Sequence, residues 1–174
     1  MKAKILTIPL FLSIFLNVIP AAADTVWVLC QPDSFVYIRS AASKTSMTCG
    51  YMECGDSAET DDIKRNGYLH LSHVSNEYGS GWISRQYIVY SKPIIIALQC
   101  TVSANGRVAC WRSIGGQRRC WIKPGDTVKV LAVTREWCIT NKGFIKTKCL
   151  DVDYDRLFKR VDMVHEAQLI YEDD

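Results

Sequence analysis

A pattern that occurs twice limits what this chain can fold into more than any other feature. The first run is Gly55-Asp56, then Gly67-Tyr68-Leu69-His70-Leu71, then Gly81-Trp82-Ile83, then Tyr87-Ile88. The second is Gly125-Asp126, then Glu136-Trp137-Cys138-Ile139, then Gly143-Phe144-Ile145, then Cys149-Leu150. Twelve residues separate Asp56 from Tyr68, and eleven separate Asp126 from Trp137. Five separate Trp82 from Tyr87, and five separate Phe144 from Cys149. An Arg-Ser step precedes each run, at Arg39-Ser40 and Arg112-Ser113. Self-similarity of this kind predicts two small domains of one fold.

The first 23 residues read as a secretory signal peptide rather than as part of that fold. Lys2 and Lys4 make a basic start, Ile5 to Ile19 is almost wholly apolar, and Pro20 precedes the small residues Ala21-Ala22-Ala23. The apolar run is shorter than the roughly 20 residues that span a bilayer. No membrane span is therefore expected once the signal is removed, and the protein is expected outside the cell. The 21 basic residues less Lys2 and Lys4 leave 19 against 18 acidic ones. That balance argues against a nucleic-acid partner.

All eight cysteines lie beyond the signal: Cys30, Cys49, Cys54, Cys100, Cys110, Cys120, Cys138 and Cys149. An even count in a secreted chain suggests disulfides. Domains of about 65 residues have small cores, and each cross-link adds about 2–4 kcal/mol. Eight cysteines allow 105 pairings, and spacing leaves the connectivity open. Their places on the expected strands offer Cys138 with Cys149, Cys100 with Cys110 across a hairpin, and Cys30 with Cys54 as candidates. Cys49 and Cys120, in similar places of the two copies, are a candidate inter-domain link.

Residues 24–90 read as the first domain, 91–93 as a linker around Pro93, and 94–150 as the second domain. Thr25–Leu29, Phe35–Arg39, Cys49–Glu53, Tyr68–Val74 and a short strand from Trp82 are expected strands, with Thr60–Gly67 a charged segment ending in an Asn66-Gly67 turn. In the second half Ile94–Val102 and Arg107–Arg112 are expected to form a hairpin about Asn105-Gly106. Arg118–Lys123, Val128–Val133, Trp137–Thr140 and Phe144–Lys146 complete it. Short strands with frequent turns indicate an all-β barrel or sandwich. The tail 151–174 differs. Leu157, Val161, Val164 and Gln168 lie at helical spacing beside Phe158, and Asp155 precedes Lys159 by one turn. A short amphipathic helix packed on the second domain is expected.

Val36-Tyr37-Ile38-Arg39-Ser40, Gly55-Asp56, Gly67-Tyr68-Leu69, Gly81-Trp82-Ile83 and Tyr87-Ile88 resemble the bacterial SH3 (SH3b) family. The second copy resembles it through Asn105-Gly106-Arg107-Val108-Ala109, Arg112-Ser113, Gly125-Asp126, Trp137 and Gly143-Phe144-Ile145. It departs where Cys138 and Cys149 replace a small or apolar residue and a closing aromatic. The resemblance covers roughly residues 25–150. It implies two small, partly open β-barrels in tandem. It also implies a non-catalytic module that holds a secreted protein to peptidoglycan or to its stem and cross-bridge peptides.

Catalytic, metal and cofactor chemistry find no expected residues. A cysteine nucleophile needs a histidine base, and the only histidines are His70, His73 and His165. On a strand His70 and His73 point to opposite faces, which disfavours a shared metal. Asp61-Asp62 and Asp173-Asp174 read as loop and terminal charges. Among the aromatics, Trp82, Trp137, Tyr68 and Tyr87 are expected in the core. Tyr37 alternates with Val36 and Ile38 and should face outward. Tyr37, Tyr78 and Trp111 are the candidate ligand contacts, since flat rings with a polar handle stack on sugars or clamp peptides. Arg39 and Arg112 are candidates for a peptide carboxylate. The leading ligand is peptidoglycan or a cell-wall peptide. The alternative is an extracellular protein, either a surface or host partner or a wall-active enzyme that the chain inhibits.

Overall fold

The structure is a computed structural model that describes residues 24–74 and 79–172. The expected signal peptide and Tyr78 lie outside the described residues. The first sheet contains β1 (Asp24–Val28), β2 (Phe35–Arg39), β3 (Thr48–Glu53), β4 (Ser57–Arg65), β5 (Tyr68–Val74), β6 (Gly81–Ser84) and β7 (Ile88–Val89). The second contains β8 (Ile94–Thr101), β9 (Val108–Trp111), β10 (Arg118–Ile122), β11 (Thr127–Val133), β12 (Trp137–Thr140) and β13 (Gly143–Lys146). A helix, α1 (Tyr154–Glu172), follows. The protein is all-β, with two antiparallel sheets and one C-terminal helix.

The duplication is visible in the topology. The first sheet runs β3-β2-β6-β5-β4-β1-β7 and the second β10-β9-β13-β12-β11-β8. Mapping β1–β6 onto β8–β13 makes the two orders identical, with β7 the one strand that has no counterpart among the described residues. The repeated Gly-Asp builds the same turn in both copies. Gly55 and Gly125 have φ of 96° and 83°, a region that favours glycine. The Asp56 carboxylate accepts from Glu53 N at 2.8 Å, and Asp126 accepts from Lys123 N at 3.0 Å. Val28 N donates to Asp56 O and Val102 N to Asp126 O, both at 2.9 Å.

One expectation fails on pairing, and one strand runs further than the sequence indicates. The strands flanking Asn105-Gly106 do not form a hairpin: β8 pairs with β11, while β9 pairs with β10 and β13. The charged stretch after Thr60 is part of β4. It is distorted, because the register jumps between Thr60↔Leu71 and Lys64↔Leu69, with Asp62 at φ 58°. This bulge breaks the alternation that marks a strand.

Two clusters make the core, and their boundary differs from the boundary in sequence. One combines the first sheet's Val26, Val36, Ile38, Met52, Leu69, Leu71 and Ile83 with Ala132, Trp137, Ile139 and Phe144 from the second. The other holds Val102, Val128, Val130, Cys138, Ile145 and Leu150. All four residues of β12 are buried. Trp137 and Ile139 join the first cluster and Cys138 the second, so the second sheet is covered on both faces. Tyr154, Leu157, Phe158 and Val161 of α1 pack on the second cluster, as the helical spacing predicts. Asp155 pairs with Arg135 at 2.9 Å rather than with Lys159. The side chains of Val164 and Gln168 lie outside the described residues.

Candidate functional site

Alternation along β2 sets the site's first wall. Val36 and Ile38 point into the core, and Phe35 and Tyr37 are 49% and 47% exposed. The Phe35 ring meets Tyr37 at 5.1 Å and Tyr51 at 5.4 Å between centroids. At the end of β2 the Arg39 guanidinium donates from Nη1 to Ser46 O at 2.9 Å and lies 5.7 Å from the Tyr37 ring centroid.

The loop after β9 sets the second wall. Ile114 N donates to Gln86 O at 2.9 Å, and the buried Ser113 hydroxyl donates to Gln86 Oε1 at 3.1 Å. Gln86 belongs to a single-turn 3-10 helix, Arg85–Tyr87, between β6 and β7. Next to it the Tyr87 and Phe144 rings meet edge-on at 6.2 Å. These contacts fix where Arg112 stands relative to the first sheet.

Between the walls lies a cleft of about 760 Å³. Tyr37, Arg39 and Arg112 all line it, so three of the five candidate contacts come together from both copies. Arg119 of β10, Lys44, Phe35 and Tyr68 line it as well. Phe35 was legible as the outward neighbour of Tyr37 two residues away. Lys44 comes from the loop that follows Arg39, whereas Arg119 carried no local signal, because only the packing of the two sheets brings it to Arg39.

Trp111 stands apart from the cleft. It packs partly against the first core cluster and faces a separate groove with Trp121, Trp137 and Lys146. There Arg118 lies 4.6 Å from the Trp121 centroid and Lys146 Nζ lies 3.9 Å from the Trp137 centroid. Trp137 is buried, whereas Trp82, Tyr68 and Tyr87 are only half-buried.

His70 Nδ1 lies 2.8 Å from Asp61 Oδ2, and the ring sits 5.0 Å from Trp82. Burial pushes the Asp61 carboxyl up, but the hydrogen bonds from His70 and Ile63 N outweigh it and hold it below its ordinary value. Asp62 pairs with Lys64. No group of three or more metal-ligating side chains occurs among the described residues.

All eight cysteines are free thiols in the structure. The interaction with Cys54, and burial after it, pushes the Cys30 thiol up, and Cys30 in turn pushes Cys54 down. The Cys30 thiol donates to Ser34 O at 3.4 Å. Cys110 faces Cys120 directly across β9 and β10, and burial first, then Cys120, pushes Cys110 up to about 12. Cys120 therefore stands against Cys110 rather than Cys49, and Cys100 is opposite Val128 rather than Cys110. Burial raises Cys138 to about 12, with the nearby Cys100 and Cys149 adding to the effect, and Thr147 Oγ1 lies 3.2 Å from its sulfur. Cys49 is exposed on β3, which ends the first sheet. Alkylation of the reduced native protein at pH 8 should therefore modify Cys49 first. Cys138 should react at least about a thousandfold more slowly, because the thiolate is the nucleophile. Peptide mapping after a timed quench checks this, and equal labelling of the two would contradict the packing of β12.

No family model matches the sequence, and no curated protein matches it. Among solved structures, NlpC1 from Trichomonas vaginalis is 13% identical over 75% of this chain, with a TM-score of 0.32. NlpC2 from the same organism is 12% identical over 75% of this chain, also at 0.32. The chain covers 46% and 48% of those two proteins, less than half their length. Likeness at that level carries no argument about fold or function.

Proposed function

We propose that this chain is a secreted, non-catalytic binding protein that targets cell-wall peptidoglycan or its peptides through two SH3-like barrels, residues 24–90 and 94–150. The observation that carries the reading is the cleft, where Tyr37, Arg39 and Arg112 meet although they come from different copies. A concave site of about 760 Å³ suits a short peptide or sugar segment. Outside the cell, thiol–disulfide exchange would close Cys30–Cys54 and Cys110–Cys120, each closure passing two electrons and two protons to a disulfide oxidant that leaves as two thiols. The two links would stiffen the walls from which Tyr37 and Arg119 project.

Co-sedimentation with purified peptidoglycan sacculi tests the reading. The oxidised protein should pellet, and Tyr37→Ala should reduce the bound fraction about tenfold, as for an aromatic anchor at a binding hot spot. If the wild type stays in the supernatant, wall targeting is wrong. The exposed Phe35, Tyr37 and Tyr51 cluster then favours the alternative of an extracellular protein partner.

A further inference from the structure

We infer that the cleft recognises a peptide by a free carboxylate, held between Arg39 of the first sheet and Arg112 and Arg119 of the second. The inference rests on the cleft being the binding site proposed above, and it names the chemical group that the site reads.

Charge is the first ground. Arg39, Lys44, Arg112 and Arg119 all line the cleft, and no Asp or Glu does so among the described residues. None of the four takes part in an ion pair among the described residues. Four cations gathered in one concavity repel one another, and low-dielectric walls strengthen their combined field. An entering anion relieves that repulsion. Acidic ligands should accordingly be drawn in, and neutral ones should not.

Positioning is the second ground. Arg39 is held from one side by its bond to Ser46 O and by the Tyr37 ring. Arg112 is followed by the buried Ser113, whose hydroxyl is bonded to Gln86 across the interface. Both guanidinium groups therefore leave the chain from fixed points. A guanidinium offers paired N–H donors in a planar fork, which matches a carboxylate.

The remaining lining selects a peptide over a bare anion. Gln31 and Asn66 bring carboxamides to the cleft, with one Asn66 Nδ2 hydrogen given to Ala42 O at 3.3 Å, and Tyr68 brings a ring with a hydroxyl. A carboxamide both donates and accepts, as a peptide bond does. The two groups suit the backbone of a residue or two ahead of the terminal carboxylate.

The test is calorimetric titration of the protein with N-acetyl-trialanine and with its C-terminal amide. The acid should bind about tenfold more tightly than the amide, the scale of losing a charge-assisted hydrogen bond. Raising salt from about 0.02 M to about 0.3 M should weaken the acid several-fold. Arg39→Gln and Arg112→Gln should each remove most of the preference for the acid. Lys129→Gln, an exposed charge on β11 outside the cleft, should leave it intact.

Equal binding of acid and amide would overturn the inference. So would binding of inorganic phosphate in place of either peptide, or no effect from the two arginine variants. Sacculus binding without acid preference would sink this inference and leave wall targeting standing. Acid preference without sacculus binding would do the reverse.

Discussion

Replacing Gly143 with alanine is expected to destabilise the protein by about 4 kcal/mol, from backbone strain together with overpacking. A Cβ built there would lie 2.5 Å from Trp111 O and 2.8 Å from Cys110 Sγ. The backbone oxygen cannot move without breaking the approach of β13 to β9, which is held by the single pairing Phe144↔Trp111. Gly143 also has φ of 130°, a conformation that a side chain disfavours. Its repeat counterpart is Gly81, and the contrast makes the prediction sharp. A Cβ at Gly81 would lie 2.5 Å from Ile38 Cγ2 and 3.1 Å from Arg39 O. The nearest atom there is the end of a side chain, and no positive φ is involved. Gly81→Ala should cost only about 1–3 kcal/mol. Urea unfolding of both variants gives the comparison. Equal costs would mean that backbone strain at Gly143 is not a significant term.

The same two glycines show what the sequence revealed and where it misled. Gly-aromatic-Ile recurs because β6 and β13 must each pass close to a neighbouring strand, β2 or β9, and only glycine leaves room. The need is local, so the motif was legible. The Arg-Ser steps recur by letter only. Arg39 pairs with Trp82, and Trp111 pairs with Phe144, so the residue structurally equivalent to Arg39 is Trp111. Arg112 corresponds to Ser40. Cys120 is likewise equivalent to Gly50, since both stand opposite the buried residue of the preceding strand, Cys110 or Ile38. A one-residue slip sends a side chain to the other face of the sheet. That is why the pairing of Cys49 with Cys120, offered for their similar places in the two copies, does not match the geometry.

Other readings depended on information that no local pattern carries. Asn105-Gly106 marks a change of direction, but nothing in those residues says which strand receives the returning chain. The helical tail was legible because Leu157, Phe158 and Val161 recur at the spacing of one helix face and meet the second core cluster. The cleft was half legible. Alternation placed Tyr37 outside, whereas the convergence of Arg39 with Arg112 and Arg119 follows only from how one sheet lies on the other.

That contact between sheets leads to the second large effect. Phe144→Ala is expected to cost about 3–5 kcal/mol, typical for truncating a buried aromatic. Phe144 is 3% exposed and belongs to the core cluster of the first sheet, although its strand belongs to the second. Its loss removes the edge-on contact with Tyr87 and weakens the surface that Trp137 and Ile139 share with Val36, Ile38 and Leu69. Neighbours on the other face of β13, such as Ile145, lie in the second cluster and keep their packing. The damage therefore falls on the coupling between the two sheets. The wild type, with one core continuous across them, should unfold in urea as a single cooperative transition. Phe144→Ala should separate this into two steps. Ile145→Ala should instead lower stability while keeping the sheets coupled, because it removes packing inside the second cluster alone. Following Trp fluorescence and far-UV circular dichroism together distinguishes the cases. Coincident transitions in Phe144→Ala would mean that the shared cluster is not what couples the sheets. Separated transitions would also predict loss of carboxylate preference in the cleft, since Arg39 and Arg112 would no longer be held in one cleft.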